Sequence, residues 1–237
     1  MFRALKNYLR RRQLTRCGIR PQLTLDTFTA GDRSGVWSVC PDRLNRASVV
    51  YSFGVGDNLA WDLALVDRFG LTVHAFDPTP ASVAWVARQS LPPGLVFHAL
   101  GLAGHDGTLE FVLPRRGSRF NFRPRPQRSA AMAATVEAPV RRLATLMRQL
   151  GHDHLDVLKM DIEGGEYAAL EDLLTSRIPV RQLLVEFHHH FPGVGLERTA
   201  LIVRALERAG YRIFHISDRG LELSFLHTSA HAVAEAA

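Results

Sequence analysis

Cysteine is scarce in this chain: Cys17 and Cys40 are the two among 237 residues. Two cysteines are too few for a disulfide framework, and both are expected to be free thiols. Lysine is equally scarce, with Lys6 and Lys159 set against 27 arginines. No run of about 18 apolar residues occurs, so no membrane span is expected. The opening stretch MFRALKNYLRRRQLTR lacks the apolar segment and cleavage site of a secretory signal, which makes the cytoplasm the expected location. Internal repeats are missing too, which removes the solenoid architectures.

What is present suffices for one large domain with its own core: 237 residues, 46% of them hydrophobic. The net charge of +6 is unevenly spread. Residues 1–46 hold ten Lys or Arg against three Asp, and residues 112–150 hold nine Arg against Glu137. Two basic stretches thus flank an acidic body, a distribution that can attract anionic partners. No aromatic stacking pattern or nucleic-acid motif accompanies the charge, so nucleic acid is not an expected partner.

The chain divides into a basic N-terminal helix and lead-in (1–46), a main domain (47–228) and a tail (229–237). Phe2, Leu5 and Leu9 recur at helical spacing. Such a helix can lie on a membrane surface. Packing on its own domain or on a partner subunit is the favoured reading, which leaves homo-oligomerisation through this helix open. From Ala47 onward, short β-rich runs alternate with helical patterns. Val49–Phe53, Leu71–Phe76 and Leu95–Ala99 are expected strands, separated by helices that start near Asp57 or Asn58 and near Thr79-Pro80. That rhythm specifies βαβ units and a parallel sheet. Residues 101–140 interrupt it with a strand at Thr108–Leu113, an Arg- and Pro-rich loop (114–128) and an edge strand at Val136–Val140. It resumes with strands at Leu155–Met160 and Gln182–Phe187. Tyr211–Ile216 and Leu221–His227 are joined closely enough to demand an antiparallel hairpin. The expected fold is α/β: a doubly wound, mostly parallel seven-stranded sheet with a reversed C-terminal strand.

Ligands bind such sheets outside the carboxyl ends of the strands, near the switch in strand order. Gly54-Val55-Gly56 would let a ligand approach the backbone closely. Asp77 lies 21 residues past Gly56, at the end of the next strand, where a carboxylate can accept ribose hydroxyls. Together they imply a nucleoside-bearing cofactor. A dinucleotide would favour a third glycine where Leu59 stands. That residue and the reversed hairpin argue for S-adenosylmethionine over a nicotinamide nucleotide. A nicotinamide-dependent oxidoreductase and a non-catalytic nucleoside-binding module of the same fold are the rival readings. Trp61 and Trp85 read as helix core residues.

The block KMDIEGGEYAAL, residues 159–170, resembles the motif of FkbM-type methyltransferases. VVYSFGVGDNLAWDLAL, HAFDPTP and LLVEFHHHF resemble neighbouring blocks of the same family, so the likeness spans roughly residues 47–227. It implies the class I methyltransferase fold and, in many relatives, O-methylation of small molecules or sugars. By that resemblance Ser52, Gly54, Gly56, Asp77 and Pro78 fall in the cofactor site, with Leu100, Gly101 and Leu102 flanking the adenine. Ser52 departs from the pattern. An acidic residue often stands there to hold the methionine amino group, so another residue must do that work or binding is weaker. Asn58 likewise stands where a glycine is frequent.

Asp161, Glu163 and His188 are the candidate catalytic residues, facing the acceptor from two strands expected side by side. Glu163 and Glu166 have a simpler explanation in the helix dipole. His188 shares a face with Glu186, while adjacent histidines on a strand point to opposite faces. General-base use of His188 or His190 is one option. A divalent metal on Asp161, Glu186 and His188 is another, though Mg²⁺ prefers oxygen ligands and no metal is expected. The expected partner is a small-molecule acceptor. The loop arginines Arg115, Arg116, Arg119, Arg123, Arg125 and Arg128 would suit an acidic one.

Overall fold

The computed structural model describes residues 2–32, 35–112, 120, 122–124 and 135–229. Most of the arginine loop and the tail from residue 230 lie outside the described residues. In chain order the elements are α1 (Phe2–Arg16), the hairpin β1 (Phe28–Asp32) and β2 (Gly35–Val39), β3 (Val49–Phe53), α2 (Ala60–Phe69), β4 (Thr72–Phe76), α3 (Pro80–Val86) and β5 (Leu95–His98). An inserted group follows: β6 (Gly101–Leu102), β7 (Gly107–Val112), β8 (Arg123–Pro124) and β9 (Thr135–Arg141). The chain then continues through α4 (Leu143–Leu150), β10 (Leu155–Met160), α5 (Glu166–Ser176), β11 (Val180–Glu186), α6 (Leu196–Arg208), β12 (Tyr211–Ile216) and β13 (Glu222–His227).

Seven strands form one sheet in the order β12-β13-β11-β10-β3-β4-β5. Neighbours from β11 across to β5 are parallel, whereas β13 runs antiparallel to both β11 and β12. This is the expected doubly wound sheet with its reversed C-terminal strand, wedged in one place from the edge. The chain begins at the centre with β3, winds out to β5, and returns to the centre with β10. The switch therefore falls between β3 and β10, which fixes where a ligand crevice opens.

The two faces of the sheet follow from side-chain alternation. Tyr51 and Phe53 point to one side and join Phe76, Met160 and Tyr167 in the larger core. Val50 joins Val73, Val157 and Leu184 on the other side, under Trp61 and Leu65 of α2. Burying an aromatic or aliphatic side chain of this size stabilises by about 1.5–3 kcal/mol. Gly70 closes α2 in the left-handed region at φ 64°, its N–H donating to Val66 O at 2.9 Å.

Three expectations need correction. The strand at Val136–Val140 is not an edge: β9 sits inside a second sheet, β6-β9-β7-β8, because Gly101–Leu102 pairs with its far side. The helix that starts near Thr79-Pro80 ends already at Val86, and Thr79 at its N-cap position makes no side-chain cap hydrogen bond. The Thr79 hydroxyl instead donates to Asp77 at 2.7 Å. In α1, Leu5 and Leu9 are exposed, and Leu14 with the following Ile19 anchors the segment in the core. Among the described residues no helix is long and apolar enough to cross a membrane.

Candidate functional site

At the switch point the chain turns sharply after β3. Gly54 adopts φ 85° with no room for a side chain, since a Cβ there would meet the Asp161 carbonyl oxygen at 1.7 Å. The exits of β3 and β10 abut because this residue is glycine. Gly56, at φ 57°, has room for a Cβ, which would make ordinary van der Waals contact with Phe120 at 3.7 Å. Its N–H donates to Asp77 Oδ2 at 2.9 Å. The Asn58 amide oxygen then accepts the Ala60 N–H at 2.9 Å and starts α2, while its nitrogen donates to Asp32 at 2.9 Å. The residue standing for a frequent glycine thus couples the turn to the β1–β2 hairpin.

Asp77 is buried at the exit of β4, and burial raises its pKa against the hydrogen bonds that lower it. Its Oδ1 accepts the Thr79 N–H at 2.9 Å and the Thr79 hydroxyl at 2.7 Å. Three of roughly four lone-pair sites are thereby engaged within the protein.

One cavity runs along these carboxyl ends. Gly54, Gly56, Asp77 and Pro78 line it, with Gly101 and Leu102 of β6 beside them. Phe111, Phe120, Phe122 and Pro124 add an apolar wall from the inserted sheet and its loop. Asp161 and Glu163 border it at the β10 exit. Trp37, Trp61, Asp62 and Lys159 form an extension under α2. Ser52, Leu100 and His188 do not line it. Ser52 is fully buried in the sheet, and Leu100 packs against the larger core.

His188 stands behind the two wall carboxylates. Its Nε2 lies 3.5 Å from Glu163 Oε2, 3.8 Å from Asp161 Oδ1 and 4.0 Å from Glu186 Oε1. Burial works to lower its pKa. The carboxylates of Glu166, Asp161 and Glu163 outweigh burial and hold it at about 9. His188 is therefore a cation at neutral pH. Burial and the charge of Asp161 push Glu186 upward, and Arg219 pairs with it at 2.8 Å. Burial and the His188 charge lower His190 to about 4.

Glu166 has a structural task. It is fully buried at the start of α5, and its carboxylate accepts the Gly164 N–H and the His188 N–H, each at 2.8 Å. These bonds tie the β10 turn to the β11 turn. Glu163 sits between them at φ 51°, an unusual backbone for a residue with a side chain. Asp161, Glu186 and His188 bring one ligand atom each within 4.8 Å of one another, close enough to share a divalent ion.

The sequence reading missed Asp62, Lys159 and Arg219 as parts of this region. Lys159 lay inside the KMDIEGGE block and was one of two lysines, a signal that could have found it. Asp62 in the first turn of a helix reads as an ordinary dipole partner. Nothing in its spacing marks it as buried.

The methyltransferase FkbM domain model matches residues 48–213. The probable methyltransferase-like protein 24 of Homo sapiens is 28% identical over 198 residues, covering 76% of this chain and 47% of that protein. Its Rattus norvegicus counterpart is likewise 28% identical, with 76% and 48% covered. The chain spans about half the length of the curated relatives it matches. Among solved structures, methyltransferase FkbM from Methylobacillus flagellatus KT aligns with a TM-score of 0.47 at 15% identity, covering 78% of this chain and 44% of that one. A TehB-like SAM-dependent methyltransferase from Corynebacterium glutamicum aligns with a TM-score of 0.38 at 12% identity, covering 77% and 81%.

Proposed function

Because the chain belongs to the methyltransferase FkbM domain family, we propose that it transfers a methyl group from S-adenosylmethionine to an oxygen nucleophile on a small molecule or sugar. The observation that carries this reading is the single cavity joining the Gly54–Gly56 turn and Asp77 to Asp161 and Glu163. Its donor set fits the cofactor. Asp77 keeps about one lone-pair site for a ribose hydroxyl beyond its three internal bonds. Pro78 and Leu102 offer apolar surface to an adenine ring. Gly56 lines the cavity and presents bare backbone there. When bound, the cofactor supplies an activated methyl group on a sulfonium.

The remaining work belongs to the chain. On this reading Asp161 and Glu163 face the acceptor, and one of them receives its hydroxyl proton. His188 does not act as the resting base, since at about pKa 9 it already carries a proton at neutral pH. Its cationic ring steadies the two wall carboxylates from behind. Phe120 and Phe122 exclude water from the cavity and cover the acceptor. Arg123, whose guanidinium lies 5.4 Å from the Phe191 ring centroid, links that wall to the turn bearing His188.

The test is methyl transfer with radiolabelled S-adenosylmethionine across a panel of hydroxylated small molecules and sugars. Label is expected in product with wild type, and Asp161→Asn should lower turnover at least about a hundredfold, the low end for removing a proton acceptor. Equal turnover in both proteins would remove Asp161 from the reaction.

A further inference from the structure

Under α2, the cavity ends in a group of buried polar side chains that the protein leaves without adequate partners. Asp62, Trp61 and Lys159 are each no more than 5% exposed. Among the described residues Asp62 Oδ1 and Trp61 Nε1 have no hydrogen-bond partner. The Lys159 ammonium has three protons to donate. It finds the Phe53 carbonyl at 3.4 Å and the face of Trp37 at 4.9 Å. Sheet register explains the gathering. Lys159 pairs across the strands with Ser52 on one side and Leu184 on the other, and Ser52 pairs with Ala75. Two polar residues therefore stand side by side between Leu184 and Ala75, beneath the first turn of α2.

Leaving buried polar groups unmatched costs free energy, and a buried charge costs more. Lys159 offsets part of the burial that disfavours an ionised Asp62, while the Ser52 hydroxyl approaches Asp62 without completing a hydrogen bond. The group holds one carboxyl acceptor, one amine donor and one neutral N–H donor. That set is complementary to an α-amino acid, whose ammonium needs an acceptor and whose carboxylate needs donors. It also stands beside the position where Ser52 replaces an acidic residue.

We propose that Asp62, Lys159 and Trp61 form the subsite for the amino-acid end of the cofactor. Asp62 accepts the ammonium, and Lys159 with the Trp61 N–H donates to the carboxylate. The carboxylate function expected at the end of β3 has moved to α2, and β10 supplies the balancing cation. The subsite rests on the S-adenosylmethionine reading, and it concerns only the part of that ligand that a nucleoside lacks.

The experiment is calorimetric titration with two ligands: S-adenosylhomocysteine, which carries the amino-acid end, and 5′-methylthioadenosine, which does not. Wild type should bind both. Asp62→Asn and Lys159→Met should each weaken S-adenosylhomocysteine at least about tenfold, as expected for a lost charge-assisted bond. Methylthioadenosine should stay within about twofold, which also reports an intact fold. Trp61→Phe removes only the N–H and should show the same selectivity more weakly, so it serves where the charge variants fail to fold. Unchanged affinity for S-adenosylhomocysteine would overturn the subsite. So would an equal loss for both ligands, since that places the effect in the fold. If wild type binds neither ligand, the cofactor reading itself falls, and the subsite with it.

Discussion

Asp77 accepts the backbone N–H of Gly56 at 2.9 Å, fastening the exit of β4 to the turn that follows β3. The carboxylate thus shapes the cavity as well as bordering it. Asp77→Ala is expected to weaken S-adenosylmethionine binding at least about tenfold. It should also lower stability by about 2 kcal/mol, because the buried Thr79 N–H and the half-buried Gly56 N–H lose their acceptor. Asp77→Asn keeps one acceptor oxygen and should fall between. Calorimetry and chemical unfolding read the two effects separately. An unchanged dissociation constant in Asp77→Ala would take this residue out of the cofactor site.

The two glycines of the turn should respond very differently to alanine. In Gly54→Ala a Cβ collides with the Asp161 carbonyl, so β3 and β10 must separate. A drop of more than about 4 kcal/mol, or failure to fold, is expected. In Gly56→Ala the Cβ makes only ordinary van der Waals contact with Phe120, so the backbone conformation alone is penalised, at about 1–2 kcal/mol. Denaturant midpoints of the two variants decide the matter. Similar values would mean that the contact between the two strand exits is not rigid.

Much of this architecture was legible because it is periodic. The alternation of Tyr51 and Phe53 against Val50 gives β3, and the short connection at residues 217–220 gives the reversed hairpin. Glycine and strand-end carboxylate spacing led to Gly54, Gly56 and Asp77, which the cavity gathers. What escaped depends on contacts between distant segments. Thr79 looks like a helix cap, yet Asp77 competes successfully for its hydroxyl. Lys159 and Asp62 meet only through strand register and helix packing, 97 residues apart. His188 reads as a base until its four carboxylate neighbours are counted.

The carboxylate cluster offers two routes to the chemistry, and chelation separates them. Glu186, a required ligand for any ion shared with Asp161 and His188, is already held by Arg219. Methyl transfer is therefore expected to be unchanged in a strong chelator. His188→Gln, which keeps a polar side chain but loses the cation, should reduce turnover and leave cofactor affinity within about twofold of wild type. Activity lost in chelator and restored by Mg²⁺ or Mn²⁺ would assign the cluster to a metal.

Acid should destabilise the fold through the histidines packed near Tyr51. His74 Nδ1 lies 3.1 Å from His98 Nε2, and burial, then His98 and His152, lower the His74 pKa to about 4. The unfolded chain protonates this residue near its ordinary value of about 6.5. Between those values the unfolded state binds more protons. The stabilising contribution is thus complete above about pH 6.5 and disappears as the pH falls toward 4. Urea midpoints should decline across that window, and His74→Phe should shrink the decline. An identical slope in the variant would exclude His74 as a source.

Everything proposed for the active site depends on one ligand, and calorimetric titration of the unmodified protein with S-adenosylmethionine tests it most directly. Saturable binding at one site per chain is expected, with S-adenosylhomocysteine competing for that site. No binding of either compound, together with saturable binding of a nicotinamide nucleotide, would contradict the assignment.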